Sequence, residues 1–159
     1  LNFSSRQGDK EIVSILRQFG AEINYSENSI TVSKRHLKAI KIDASQIPDL
    51  VPVIATVAAL ADGTTEIYGA SRLRIKESDR LSSTKTMLNS LGADVQETDD
   101  GLIIRGKTML KGGKVHSFND HRIAMSAAIA SLVCKSPVTI SRFEAINKSY
   151  PSFAENFTE

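Results

Sequence analysis

The chain has 159 residues, enough for one domain with a sizeable core and too few for two of ordinary size. Its 20 basic and 18 acidic side chains leave a formal charge of only +2, which excludes the strong positive field of a protein that holds nucleic acid by charge alone. The single cysteine, Cys134, excludes an internal disulfide and a cysteine metal cluster; it fits a reducing compartment and reads as a core thiol.

The chain starts at Leu1, without an initiating Met and without a basic-then-apolar leader, and enters at once into patterned sequence. A piece of a longer polypeptide is therefore expected. Ile12, Ile15, Leu16 and Phe19 fall at helical spacing, and Gly20 is placed to end that helix. A short strand follows, then the polar turn Ser26 to Ser29 and the strand Ile30 to Val32, which together predict a hairpin. After a further strand comes the uncharged run Leu50 to Ala61, apolar on nearly every face and so expected as a helix buried all round. It falls well short of the roughly 20 residues needed to span a bilayer, so a soluble, cytoplasmic protein without a membrane partner is expected. Thr64 to Tyr68 then reads as a strand.

The same series runs again. Leu81, Leu88 and Leu91 mark a helix, and Gly92-Ala93-Asp94-Val95 repeats Gly20-Ala21-Glu22-Ile23 at an offset of 92 − 20 = 72. The turn Thr98 to Gly101, the strand Leu102 to Ile104, the apolar helix Ile123 to Cys134 and the strand Pro137 to Ser141 complete the copy. The unit is helix, hairpin, strand, buried helix, strand, an α+β arrangement. Two modules leave two buried helices incompletely covered, so a third module from chain outside this sequence is expected.

Four stretches depart from the repeat. Asp49, in Ser45-Gln46-Ile47-Pro48-Asp49, opens the first buried helix, where Pro and a carboxylate also serve as ordinary helix-start residues. In Arg72-Leu73-Arg74-Ile75-Lys76-Glu77-Ser78-Asp79-Arg80, Ser78 or Asp79 can cap the following helix. Arg80 opposes the macrodipole of that helix, which predicts an anion beside it. Asn119-Asp120-His121-Arg122 opens the second buried helix, with His121 at the position equivalent to Asp49 (121 − 49 = 72) and a second arginine at a helix start. Free backbone N–H groups joined by the forks of Arg80 and Arg122 would hold a carboxylate or phosphate. His121 alone reads as a structural hydrogen-bonder, and Lys148, in Asn147-Lys148-Ser149-Tyr150-Pro151, as a solvated surface lysine.

Gly101-Leu102-Ile103-Ile104-Arg105-Gly106-Lys107-Thr108 matches the phosphate-loop pattern letter for letter. That loop needs pliable backbone between a strand and a helix, whereas Leu-Ile-Ile is the core of a strand and the Gly112-Gly113 turn leaves no room for the helix. A nucleotide site is not expected here.

Ile-Pro-Asp at 47 to 49, Lys-Glu-Ser-Asp-Arg at 76 to 80, Asn-Asp-His-Arg at 119 to 122 and Lys-Ser-Tyr-Pro at 148 to 151 occur in the order and context of EPSP synthases, and the chain resembles that family over most of its length. The resemblance implies a fold of two domains, each a prism of three helix-and-sheet repeats with the active site between them. It implies that residues 1–159 are part of the C-terminal domain, with repeats at about 1–71 and 72–145 and an active-site tail at 146–159. It also implies transfer of the enolpyruvyl group of phosphoenolpyruvate to shikimate 3-phosphate, with no metal and no cofactor. Asp49 would contact the attacking hydroxyl and help remove its proton, and Lys76 would bind the ring that carries it. Arg80 and Arg122 would hold the phosphoenolpyruvate carboxylate. Glu77 and Lys148 would move protons, the lysine also touching the leaving phosphate, with His121 beside Glu77. Arg72 stands where many family members have a substrate-contacting Asn, so its role is left open. The absent N-terminal domain would supply further contacts, and the chain alone is expected to be inactive.

Three other readings remain: the sister family of UDP-N-acetylglucosamine enolpyruvyl transferases, which is unlike this sequence around residues 76 to 80; an RNA 3′-phosphate cyclase-like protein; and a non-catalytic module. A cyclase needs a nucleophilic histidine near its C-terminal end, and the last one here is His121. The enzyme reading requires Asp49, Glu77, Arg80, Arg122 and Lys148 to line one face.

Overall fold

The computed structural model describes residues 8–26, 29–33 and 35–158, so residues 1–7 of the first expected repeat and Glu27 and Asn28 of its turn lie outside the described residues. A 3₁₀ turn, Gly8–Glu11, leads into α1, Ile12–Gln18, whose Val13 and Ile15 are buried. Gly20 ends the helix at φ 103°, a conformation that a residue bearing a Cβ rarely adopts. The hairpin of β1, Glu22–Tyr25, and β2, Ile30–Ser33, follows in antiparallel register. Then come β3, Lys41–Asp43, a 3₁₀ turn at Pro48–Leu50, α2, Val51–Ala58, and β4, Thr64–Tyr68.

The second round has a 3₁₀ turn at Ser71–Ile75, α3, Arg80–Ser90, and the hairpin of β5, Asp94–Glu97, with β6, Leu102–Arg105. It continues with β7, Gly113–His116, α4, His121–Ser131, and β8, Val138–Ser141. A further 3₁₀ turn, Phe143–Lys148, and α5, Phe153–Thr158, begin the order of elements once more. In each round the strands that flank the buried helix pair in parallel, β3 with β4 and β7 with β8, as a crossover through a helix allows.

The two rounds are joined through their sheets. β6 pairs antiparallel with β4, Thr64 opposite Arg105 and Ile67 opposite Leu102, giving the order β3-β4-β6-β5. The hairpin of the second round thus completes the sheet of the first. Among the described strands, β2 has β1 as its only ladder partner and β8 has only β7, so each keeps one open edge. Beneath the sheets α2, α3 and α4 pack on one another, burying Ile54, Leu81, Leu88 and Ile123 with the sheet residues Ile67, Leu102 and Ile104.

Both apolar helices are shorter than the runs that predict them. The last residues of each run leave the helix through tight turns, Ala61 N–H to the Ala58 carbonyl and Cys134 N–H to the Ser131 carbonyl, so that the chain can bridge Lys38 to Asp62 and Leu110 to Cys134. Leu132 is consequently 68% exposed, and Cys134 is only partly buried, its thiol donating to the Ala130 carbonyl at 3.2 Å. Neither is the core position that hydropathy predicts.

The glycine frame of the phosphate-loop lookalike has a packing origin. A Cβ on Gly101 would lie 1.8 Å from the Ile67 carbonyl oxygen, and one on Gly106 would lie 1.7 Å from that of Ala61. These glycines let the two ends of β6 run against neighbouring backbone.

Candidate active site

The starts of α2, α3 and α4 meet, and the charged residues that open them form one connected cluster. Asp79 and Asp120 are the N-caps: Asp79 Oδ1 accepts from Ser82 N–H at 3.2 Å, and Asp120 Oδ1 from Arg122 N–H at 2.9 Å. Asp49 has no capping bond, because its helix starts with Ile47 in the N-cap position and no side-chain cap. Its carboxylate is free for the cluster. Oδ1 accepts from Arg80 Nη1 at 2.7 Å and pairs with Lys76 Nζ at 3.5 Å, and Oδ2 accepts from Arg122 Nη2 at 3.2 Å. Arg122 Nη1 also donates to the Asp49 carbonyl at 3.1 Å.

Arg80 is the centre of this arrangement. Its side chain is 2% exposed, yet Nε donates to Asp120 Oδ2 at 2.8 Å, Nη2 to Glu77 Oε2 at 2.5 Å, and Nη1 to Asp49. Burial disfavours its charge, but the hydrogen bonds and charges of Asp120, Glu77 and Asp49 outweigh that and raise its pKa further. Asp120, wholly buried, is pulled the other way: burial would raise its pKa, and the bonds and charge of Arg80, the Arg122 N–H and Ser78 Oγ at 3.0 Å hold it below the usual carboxylate range.

The forks of Arg80 and Arg122, expected to meet at an anion, both reach Asp49 within the folded chain. The anion that relieves Arg80 of its unfavourable position on the macrodipole is the protein's own Asp120, with Asp49 and Glu77 beside it. A buried guanidinium has to be neutralised in the folded chain itself.

Glu77 keeps one oxygen on Arg80 while Oε1 lies 4.0 Å from His121 Nδ1. That nitrogen is buried and has no hydrogen-bond partner among the described residues. Desolvation lowers the His121 pKa against the opposing pull of Asp120 and Glu77, so burial favours the neutral ring. Lys148 Nζ donates to the Asn119 carbonyl at 2.6 Å, which ties the last 3₁₀ turn to the loop that opens α4. Lys76 and Lys148, 148 − 76 = 72 residues apart, each follow the closing strand of a round. Arg72 is exposed on its 3₁₀ turn, and no bond or ion pair joins it to the cluster among the described residues.

Sequence pattern alone misses two participants. Asp120 is recognisable as a helix-start residue, but only its burial against Arg80 shows that it neutralises a cation. Arg74 forks onto Glu97 Oε1 at 2.7 Å, Asp79 Oδ2 at 3.0 Å and the carbonyls of Thr98 and Asp99, which fixes the near end of the Lys76-Glu77 segment to the tip of the β5-β6 hairpin. Among the described residues no group of three or more His, Cys, Asp and Glu is disposed to hold a metal ion. No helix among them is long and apolar enough to cross a membrane.

Comparison with known proteins agrees with this architecture. A solved structure described as EPSP synthase from Acinetobacter baumannii superposes at a TM-score of 0.76 with 34% identity, covering 91% of this chain and 37% of that one. A family model described as EPSP synthase (3-phosphoshikimate 1-carboxyvinyltransferase) matches residues 1–157. Curated relatives named 3-phosphoshikimate 1-carboxyvinyltransferase include that of Clostridium acetobutylicum, 57% identical over 96% of this chain and 35% of the relative, and that of Clostridium novyi, 52% identical over 99% and 36%. The repeated rounds of helix, hairpin and parallel pair define an α+β fold of the enolpyruvyl transferase type. The chain belongs to the EPSP synthase family, and it spans about a third of the length of the relatives it matches.

Proposed function

We propose that this chain is part of a cytoplasmic enzyme that transfers the enolpyruvyl group of phosphoenolpyruvate to a hydroxyl of shikimate 3-phosphate and releases phosphate. The observation that supports it best is the convergence of Asp49, Lys76, Glu77, Arg80 and Arg122 at the meeting point of three helix starts. Asp49 takes the proton of the attacking hydroxyl, and Lys76 holds the ring that bears it. Arg80 and Arg122 bind the carboxylate of phosphoenolpyruvate, exchanging part of their hold on Asp49 for it. Glu77 and Lys148 move protons to and from the substrate carbons and the leaving phosphate, with neutral His121 beside Glu77.

The charge balance explains why the chain should not work alone. Lys76, Arg80 and Arg122 face Asp49, Glu77 and Asp120, with Asp9 3.9 Å from Arg122 Nη2, three cations against four anions, so the cluster has no surplus positive charge for two anionic substrates. The remaining cations come from Lys148 and from an N-terminal domain closing over this face. The open edges of β2 and β8 support a third repeat beside those at about 1–71 and 72–145, with the tail 146–159 leading into it.

The test is a chimera in which this chain replaces the matching third of the Clostridium acetobutylicum relative. Phosphate release from phosphoenolpyruvate that depends on shikimate 3-phosphate is expected within about a hundredfold of the unaltered relative, and none from the chain alone. A folded chimera without turnover sinks the reading, and turnover by the isolated chain shows that the cluster needs no cations from elsewhere. In the same chimera, an NMR titration of the His121 ring is expected to show a midpoint below the ordinary histidine value near 6.5. Because the folded pKa is the lower one, the unfolded chain binds the extra proton, and the His121 contribution to stability falls as pH drops below about 6.5. A midpoint above that value would mean that the ring is charged and paired with Glu77.

A further inference from the structure

Two consecutive residues in the loop that opens α4, Phe118 and Asn119, adopt positive φ of 55° and 58°, and Arg142, before the Lys148 turn, adopts 59°. Such backbone is strained for residues other than glycine and persists only where the surroundings fix it. Here one side chain does most of the fixing. Ser117, wholly buried, donates its hydroxyl to the Arg142 carbonyl at 2.8 Å and accepts the Asn119 N–H at 3.1 Å. Its backbone donates to the Ser141 carbonyl and accepts from Asp120 N–H at 3.0 Å. Phe118 N–H is taken up by His116 Nδ1 at 2.7 Å. The two segments joined by Ser117 are those that hold Asp120, His121 and Arg122 on one side and Lys148 on the other, and the strained Asn119 presents the carbonyl that Lys148 grips.

We propose that Ser117 is a positioning residue of the active site: its hydroxyl holds the left-handed Phe118-Asn119 pair, and through it sets the start of α4 against Lys148. This rests on the enolpyruvyl transfer reading for its kinetic arm but not for its structural one. Without the hydroxyl the pair should relax to negative φ, turning the Asn119 carbonyl away from Lys148 and loosening the relation between the lysine and Glu77 with His121.

The chimera described above serves as the protein. Ser117→Ala is expected to lower kcat by roughly ten- to a hundredfold, with KM for phosphoenolpyruvate changed far less, since Arg80 and Arg122 remain anchored by Asp49 and Asp120. Adding Asn119→Gly to Ser117→Ala should restore most of the lost kcat, because glycine adopts positive φ without help. A merely structural defect would not be cured by removing an exposed side chain. Crystal structures of both variants supply the second arm: residues 118 and 119 leave the left-handed region in the single variant and return to it in the double. The proposal is overturned if Ser117→Ala keeps both the loop and kcat, or if the double variant is as slow as the single. If the unsubstituted chimera is inactive, the enolpyruvyl reading fails and the loop conformation in the two structures still decides the role of Ser117.

Discussion

Replacing Asp120 with Ala in the chimera should cost about 3–5 kcal/mol of unfolding free energy, the range for breaking a buried ion pair from one side. The loss has two sources. Arg80, 2% exposed, keeps Asp49 and Glu77 but loses the only wholly buried carboxylate against its Nε, and α4 loses the acceptor for its Arg122 N–H. Urea denaturation of the single variants and of the combined Arg80→Met/Asp120→Ala variant separates the two. If the loss comes mainly from the broken ion pair, the double variant is more stable than the sum of both single losses predicts. Simple additivity would show that Asp120 acts as a helix cap alone. The pH dependence has a definite sign. The folded pKa of Asp120 lies below its unfolded value, so its contribution is complete above about pH 4 and disappears as pH falls through the folded pKa.

The second large effect concerns catalysis. Glu77→Gln in an active chimera should lower kcat by about a hundred- to ten-thousandfold while leaving stability within about 1 kcal/mol. Glutamine keeps the shape of the side chain and an oxygen for Arg80 Nη2, so the scaffold is preserved and only proton exchange is lost. The geometry fits that division. One oxygen of Glu77 is anchored on Arg80, and the other faces His121 at 4.0 Å, on a side chain that is 40% exposed. Retention of kcat within about threefold, with stability unchanged, would remove Glu77 from the proton path and leave it as a partner of Arg80.

Most of the secondary structure was legible because it depends on local pattern. Gly20 and Gly92 end their helices as their spacing predicts, and both hairpins follow from short-range alternation and turn chemistry, whereas the parallel pairing of β3 with β4 and of β7 with β8 appears only in the fold. Helix lengths were less legible. Apolar composition cannot tell where Leu50 to Ala61 or Ile123 to Cys134 stops being helical, because the stop is set by a bridge to a strand connection more than 20 residues away.

The sequence by itself determined the doubled α+β unit, its offset of about 72, and the set of charged residues at the helix starts, since each follows from residue type and periodicity within a few turns of chain. Which of those charges meet was decided only by tertiary structure. Arg80 and Asp120 are 40 residues apart, and Arg122 and Asp49 are 73 apart. Packing α2, α3 and α4 start to start brings them together. Once they are buried, the cost of an unneutralised charge selects internal carboxylates as partners, where the macrodipole alone would have called for a ligand. The same distance dependence hid Ser117. An isolated serine at the end of a strand carries no signal until two left-handed residues and the Arg142 carbonyl are folded against it.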